Sequence, residues 1–487
     1  MSGELIPIMV VAPLMAAVIA NLLHGKERQL RLAFVGFVFL LLFLPLASQY
    51  GIHIFGGHER SQYQSSNATG IIYLFGQHQK LLIFILVLIG YLVISSYMGV
   101  YKKLSGPYLG FLMLGIGATS AVVMADDFFN FYVFMEIALI SQTALAIATG
   151  TFQAYKSAVK YLIIANVCGN FLLLGVAMLL SLSGSVNISD IAAQISDGQI
   201  LMSDPLLITA ACFILFAWLY AGGVFPFHNI KSELYAAARP HSSAIMQTQT
   251  KFILVALGLI ILRLFSGIWG VRQVMMAGSA GAMIFGVIMA LKQDDYHKML
   301  SYHAISQGGY VACGLAIGTP YGILAGIFHA VNHVLYKSAL FLGCEALERH
   351  KGTTSFSKLG GAIHSIPFIG FLVLCAKLAI SGVPPFNGFQ SKLMLMVAAF
   401  DAGMPEITMV MMLVSVLTFI SMMKAFHFAY LRSLEPAPRN KADPAELTHY
   451  TMALVILVGL CVLLGLFPDI ALGYLEHVSL TAGAPWR

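Results

Sequence analysis

The chain has 487 residues, 59% of them hydrophobic and only 10% charged. A water-soluble protein keeps roughly 25% of its residues charged, so this chain is too poor in charge to coat a water-facing surface and reads as an all-α polytopic membrane protein. Its net charge of +6 is scattered through short loops, which excludes a nucleic-acid-binding face and leaves no nucleic-acid partner. Cys168, Cys212, Cys313, Cys344, Cys375 and Cys461 each stand alone in an apolar run. Iron–sulfur and zinc centres need clustered thiolates, so no cofactor is expected on this chain.

A membrane-spanning helix needs about 20 apolar residues. In chain order that window predicts helices at 5–23, 30–50, 80–99, 107–125, 128–149, 158–182, 206–238, 242–264, 273–291, 300–317, 321–345, 366–402, 406–431 and 450–472, fourteen in all. Two windows are too long for one crossing and carry prolines, in Gly222-Gly223-Val224-Phe225-Pro226-Phe227 and in Gly382-Val383-Pro384-Pro385-Phe386. Proline removes a backbone donor and clashes with the preceding turn, so each window should split into two half-helices. Irregular backbone at membrane depth persists where it lines a polar cavity, which makes both breaks candidate functional sites; a simple packing kink is the competing explanation.

The two breaks share four of five residues from Gly223 and Gly382, at an offset of 159. This predicts a first five-helix repeat over 107–265 and a second over 266–432, flanked by N-terminal helices in 1–106 and a C-terminal loop and helix in 433–487. Five is odd, so the second repeat should be inverted relative to the first. Loop charges orient the chain. Seventeen loop lysines and arginines, Lys26, Lys102, Lys156, Lys231 and Lys358 among them, fall on one side, against Arg60, Lys80, Arg272 and Arg487 on the other. The positive-inside rule then puts both termini outside a prokaryotic cytoplasmic membrane. Asn67-Ala68-Thr69 is a glycosylation sequon on that outer side.

Six basic residues remain inside predicted spans: Lys251, Arg263, Lys337, Lys377, Lys392 and Lys424. Each costs roughly 2.5–3.5 kcal/mol at a helix centre, so their retention points to use. Arg263 and Lys424 lie near helix ends and can snorkel. His329, His333 and Lys337 recur every four residues and stack on one helix face over about 12 Å. Three explanations fit that spacing. A proton relay leads, because histidine titrates near neutral pH and a desolvated lysine releases its proton readily. Structural hydrogen bonding, and a metal or haem held by the histidines, are the alternatives; zinc would want a carboxylate that the sequence does not offer nearby. Glu136, two to three turns inside the fifth window after Asp126-Asp127, is a lone intramembrane acid. Gln247-Thr248-Gln249-Thr250-Lys251 can hold ordered water in an otherwise apolar helix.

With these residues in place, the sequence resembles the antiporter-like subunit family: the large proton-channel subunits of respiratory complex I, of Mrp-type cation/proton antiporters and of related membrane-bound hydrogenases. The resemblance spans about 107–432. It is carried by Phe131-Tyr132-Val133-Phe134-Met135-Glu136, Pro226-Phe227-His228 with Ser243-Ala244-Ile245-Met246, Ala290 through Asp295 with Leu300-Ser301-Tyr302, His329 through Leu342, and Gly382 through Phe389 with Ser391-Lys392. It implies that Glu136 is the coupling glutamate, that Lys251 is the eighth-helix lysine displaced by one residue, that His329, His333 and Lys337 belong to a central polar axis, and that Lys392 is the exit-side lysine. The family's seventh-helix lysine, five residues before the break proline, is Ala221 here. Without that cation a desolvated Glu136 favours its neutral form, and the glutamate–lysine switch of the first half-channel is in question. Lys377, which the family pattern does not call for, suggests that the charge has moved to the second repeat; snorkelling into a polar cavity is the alternative. His303 stands where the family has a small hydroxyl residue.

The resemblance implies a proton-translocating subunit, with cation/proton exchange as a variant, working beside homologous antiporter-like subunits, small membrane subunits and a peripheral redox module. Such a chain would be the translocase part of a redox-driven oxidoreductase complex or of an antiporter. A non-pumping structural subunit and a stand-alone secondary transporter are the rival functions.

Overall fold

The computed structural model describes residues 8–26, 29–30, 60–62, 72–100, 105–433 and 447–476. The predicted span 30–50, the sequon at Asn67, and Arg28, Arg31, Lys102, Lys103, Arg439, Lys441 and Arg487 lie outside the described residues. The helices are α1 Ile8–Leu22, α2 Gln77–Val100, α3 Gly106–Met124, α4 Phe128–Ile147, α5 Phe152–Ser183, α6 Pro205–Ala221, α7 His228–Ala237, α8 Pro240–Phe265, α9 Val271–Leu291, α10 Tyr296–Ile317, α11 Pro320–Lys351, α12 Pro367–Ser381, α13 Asn387–Asp401, α14 Pro405–Phe426, α15 Thr448–Leu466 and α16 Asp469–Leu475. Many start on a side chain that accepts a free first-turn N–H: Ser105, Asp127, Thr151, Asp204, Asp295 and Thr319. Several stop on a left-handed glycine, as at Gly184, Gly318 and Gly352.

Among the described residues, eight helices are long and apolar enough to cross a membrane by themselves. Of the fourteen windows, 30–50 lies outside the described residues and the first is a helix of 15 residues; the rest of the difference has physical sources. Both proline-bearing windows divide, into α6 and α7 and into α12 and α13, and each half is short. α10 and α11 carry so many polar side chains that their mean hydropathy falls, although both are almost wholly buried. The last window is also interrupted, at Phe467-Pro468 between α15 and α16. One small exception to the all-helical expectation is an antiparallel hairpin, β1 Arg60–Gln62 with β2 Ile72–Leu74, whose Ile72 N–H donates to Asp127 at the start of α4.

The centre of the bundle is α8, α10 and α11. In α11 every residue from Ala325 to Leu347 is buried, polar groups included. A helix buried all round holds its place by close packing rather than by an amphipathic face.

The backbone repeats itself. At the start of α4, Phe128 N–H donates to the Val186 carbonyl and Ile188 N–H to that of Asp126. At the start of α10, Tyr296 N–H donates to Thr354 and Phe356 N–H to Asp294, the same pairing moved on by 168 residues. The two turns lie at opposite ends of α8: Asp126 is 3.4 Å from Arg263 near its C-terminus, and His297 is 3.1 Å from Ser243 near its N-terminus. Twenty residues of helix separate these contacts, about 30 Å, so the second unit runs upside down relative to the first. The breaks repeat as well. Val224 N–H donates to Leu219 and Phe227 N–H to Val224; Val383 N–H donates to Leu378 and Phe386 N–H to Val383. The offset is 168 at the helix starts and 159 at the breaks because the linker between turn and break is nine residues longer in the first unit, where it forms Ile188–Ser196 against the shorter Ala362–Ser365 of the second.

Asp295 caps α10, accepting from Lys298 N–H at 2.9 Å and from Thr354 Oγ1 at 2.6 Å. Asp295→Ala should therefore destabilise the chain by about 1–2 kcal/mol, the usual cost of a lost cap. Thermal unfolding of the detergent-solubilised protein measures this, and an unchanged Tm would show that the turn does not hold α10.

Candidate functional site

The stripe on α11 faces the second break. His329, His333 and Lys337 are fully buried, at 0% exposure. His329 Nδ1 is 2.9 Å from Ser391 Oγ of α13, and its ring lies 5.4 Å from that of Tyr310. Asn332 and Asn387 tie α11 to the break reciprocally: Asn332 Nδ2 donates to the Asn387 carbonyl at 3.2 Å and Asn387 Nδ2 donates to Asn332 Oδ1 at 3.0 Å. Both nitrogens of His333 and the Nζ of Lys337 have no hydrogen-bond partner within the described chain. Buried polar atoms normally have partners, so three such atoms on one helix face mark a place built for water or for mobile protons.

Lys392 enters this group from α13. Its Nζ donates to the Ile380 carbonyl at 2.8 Å, one of the carbonyls released by the break, and sits 5.2 Å over the Tyr310 ring. Gly382 turns the chain here at φ +81°, and a Cβ at that position would press on the Lys392 stem. Lys377 lies on α12, its Nζ 4.3 Å over the ring of Tyr296 and 3.5 Å from the Met422 carbonyl. His303 Nε2 is 2.8 Å from Ser421 Oγ, which places it on the same interior side of α10.

The first break holds a lysine that the sequence assigns to a water-facing loop. Lys231 is in α7, 0% exposed, so that assignment is corrected. The polar run His228-Asn229-Ile230-Lys231-Ser232-Glu233 looks like a loop, but it forms a short half-helix turned inward by the break. Lys231 Nζ donates to Tyr161 OH at 2.7 Å, to Gln142 Oε1 at 3.3 Å and to Thr250 Oγ1 at 3.5 Å, and lies 4.8 Å over the Tyr161 ring. Gly223, at φ +65°, packs against its stem as Gly382 packs against that of Lys392. A buried lysine thus stands at each break, and the first unit keeps a lysine amine despite Ala221.

Glu136, half-buried on α4, lies within electrostatic reach of Tyr161. Its Oε1 has no partner within the described chain and faces Gly169 of α5, where a Cβ would collide with it. Lys251, fully buried, connects the two units: its Nζ is 3.5 Å from the Gly222 carbonyl at the first break and packs on Gly308 of α10. Gln307, next along, accepts from Tyr336 OH at 3.2 Å, one residue before Lys337. Gly308→Ala would push a methyl group into Lys251 Nζ; misplacing a reacting group by about 1 Å can cost up to ~100-fold, so a role for Lys251 in ion movement predicts at least a severalfold drop with folding preserved. A wild-type rate in that variant would remove Lys251 from the path. The remaining intramembrane cations behave as end residues. Arg263 pairs with Asp126 and Ser189, and Lys424 donates to the Leu291 carbonyl at 3.1 Å.

The family model described as NADH:quinone oxidoreductase/Mrp antiporter, transmembrane, matches residues 125–468. An uncharacterized protein of Methanocaldococcus jannaschii is 44% identical, over 96% of this chain and 96% of its own. A Na(+)/H(+) antiporter subunit of Alkalihalophilus pseudofirmus is 30% identical, over 74% of this chain and 72% of its own. A chain of the Mrp complex from Dietzia sp. DQ12-45-1b superposes with a TM-score of 0.88 at 21% identity, covering 99% of this chain and 97% of that one. A chain of the membrane-bound sulfane sulfur reductase, an archaeal respiratory membrane complex, gives 0.87 at 22%, covering 98% and 97%. At these identities the two solved structures speak to the fold alone.

Proposed function

From the premise that the chain belongs to the NADH:quinone oxidoreductase/Mrp antiporter transmembrane family, we propose that it carries protons through the membrane as one subunit of a multi-subunit energy-converting complex. One observation carries this: from a half-buried Glu136, fully or almost fully buried titratable side chains run through Lys231 and Lys251 to His333, Lys337, His329 and Lys392, with hydroxyls and amides among them. His333 lies within electrostatic reach of Lys251, Lys337 and His329, so proton occupancy at one is felt at the next. Lysine and histidine exchange protons, whereas sodium and other hard cations take oxygen ligands, so the axis suits protons and any cation exchange would run elsewhere. The cytoplasmic face is the lysine- and arginine-rich one, and both termini lie outside. Other membrane subunits flank the chain, and a redox module or an antiporter assembly drives it.

The non-pumping alternative rests on Ala221. Lys231 weakens it, because a lysine amine is still held at the first break. The test is proton movement by the intact assembly in membrane vesicles, followed with a pH-sensitive dye. Glu136→Gln and His333→Gln, each of which nearly keeps side-chain volume while changing proton exchange, should each slow it by about tenfold or more, at or below the lower end for loss of a positioned acid or base. Wild-type rates in both, with the assembly intact, would overturn the relay in favour of a structural subunit.

A further inference from the structure

The stripe on α11 continues past Lys337. Four residues on stands Phe341 and four more Glu345, so His329, His333, Lys337, Phe341 and Glu345 follow one another as a stripe that winds about 40° round the helix at each step and rises about 24 Å. Glu345 is 3% exposed, and its Oε2 is 3.2 Å from Nδ1 of His241, itself 0% exposed in the first turn of α8. Its Oε1 meets Arg349 Nε at 3.5 Å. Burying an acid–imidazole pair costs desolvation that well-packed apolar residues would avoid, so such a pair is weak as a source of stability. It also lies at the lysine- and arginine-rich end of the bundle, between Arg239 and Lys351.

Between this pair and Lys337 stands one ring. Lys337 Nζ is 5.4 Å above Phe341, and the ring of His297 meets Phe341 edge to face at 5.6 Å. His297 stands within electrostatic reach of Glu345 and His241 and of Lys337 as well. A polar detour therefore runs around an apolar plug.

We propose that His241 and Glu345 form the proton-loading site at the cytoplasmic mouth of the axis, with Phe341 as the seal and His297 as the route past it. The proposal rests on the proton-translocation function argued above. A proton from water binds the Glu345–His241 pair. It passes to the imidazole of His297, and from there to the amine of Lys337, leaving the pair ready to load again. Among the described residues, the titratable and charged groups facing the pair are Arg239 before α8, Arg349 and Glu348 on α11, and His297 and Asp295 at the start of α10; Tyr97 of α2 and Tyr108 of α3 pack on the imidazole at 5.6 Å and 5.8 Å.

The test uses native membrane vesicles containing the whole assembly, a potassium diffusion potential imposed with valinomycin, and a pH-sensitive dye, between pH 6 and 8. Glu345→Gln and His241→Gln should each lower proton uptake at least fivefold at pH 8 and less at pH 6, where protons are plentiful and loading no longer limits. Glu345→Asp should restore at least half of the rate. Phe341→Ala leaves the pair in place and should raise the passive proton leak. Lys337→Met, beyond the seal, should stop uptake at every pH. If Lys337→Met stops uptake while both pair variants run at the wild-type rate, the loading site is overturned and the translocation function stands. A loss in the pair variants that is equal at all pH values and not recovered by Glu345→Asp also overturns it, as a structural defect. If Lys337→Met itself transports normally, the translocation function fails and the loading site with it.

Discussion

Lys392→Ala is expected to reduce proton translocation by about a hundredfold, the scale for removing a positioned proton-transfer group, while the assembly stays intact. Lys392 is the one cation of the second break that touches broken-helix backbone, through the Ile380 carbonyl at 2.8 Å. Losing it also leaves that buried carbonyl without its donor, at a cost of roughly 1–3 kcal/mol, which a native gel and a melting curve would register. Lys392→Met separates the two effects by keeping the length of the side chain. If Lys392→Met folds and assembles like wild type yet does not translocate, the lysine is needed for its charge. A Lys392→Met variant that translocates normally would mean that protons leave the axis by another way.

Lys231→Met is the second large effect, expected at about tenfold or more on the same assay. The change leaves Tyr161 OH, Gln142 Oε1 and Thr250 Oγ1 without the donor they share. It also removes the fully buried lysine of α7, the amine that makes up for Ala221. If the first unit conducts, translocation falls with Lys231→Met as it does with Glu136→Gln. If instead the charge at Lys377 has taken over, Lys377→Ala should abolish translocation while Lys231→Met leaves it near wild type. The two outcomes assign the working path to one unit or to both.

Much of this organisation is legible in the sequence because it is periodic or punctuated. Proline and glycine mark both breaks, and the four-residue spacing of His329, His333 and Lys337 fixes one face of α11 whatever that face meets. The depth of Lys251, Lys337, Lys377 and Lys392 follows from their place within apolar runs, and all four are buried. Lys231 falls in the polar end of the 206–238 window, and hydropathy, which records how apolar a stretch is, does not show that this half-helix turns inward. His241 and Glu345 are 104 residues apart, and no local pattern announces a pair made by tertiary packing. The repeated turns at Asp127 and Asp295 were hidden for a different reason. Their offset of 168 differs from the 159 of the breaks, so comparison at one fixed spacing finds one match and misses the other.

The central claim is that the buried titratable groups form one proton path across both units, and Lys337, on the central helix between them, is where it is most exposed to test. The measurement is driven proton translocation by the purified assembly in vesicles, wild type against Lys337→Met and Lys337→Arg, with assembly verified on the same samples. A continuous path predicts that Lys337→Met abolishes translocation. It predicts the same for Lys337→Arg, because a guanidinium holds its proton and cannot pass it on. Translocation at the wild-type rate in both variants would contradict the account.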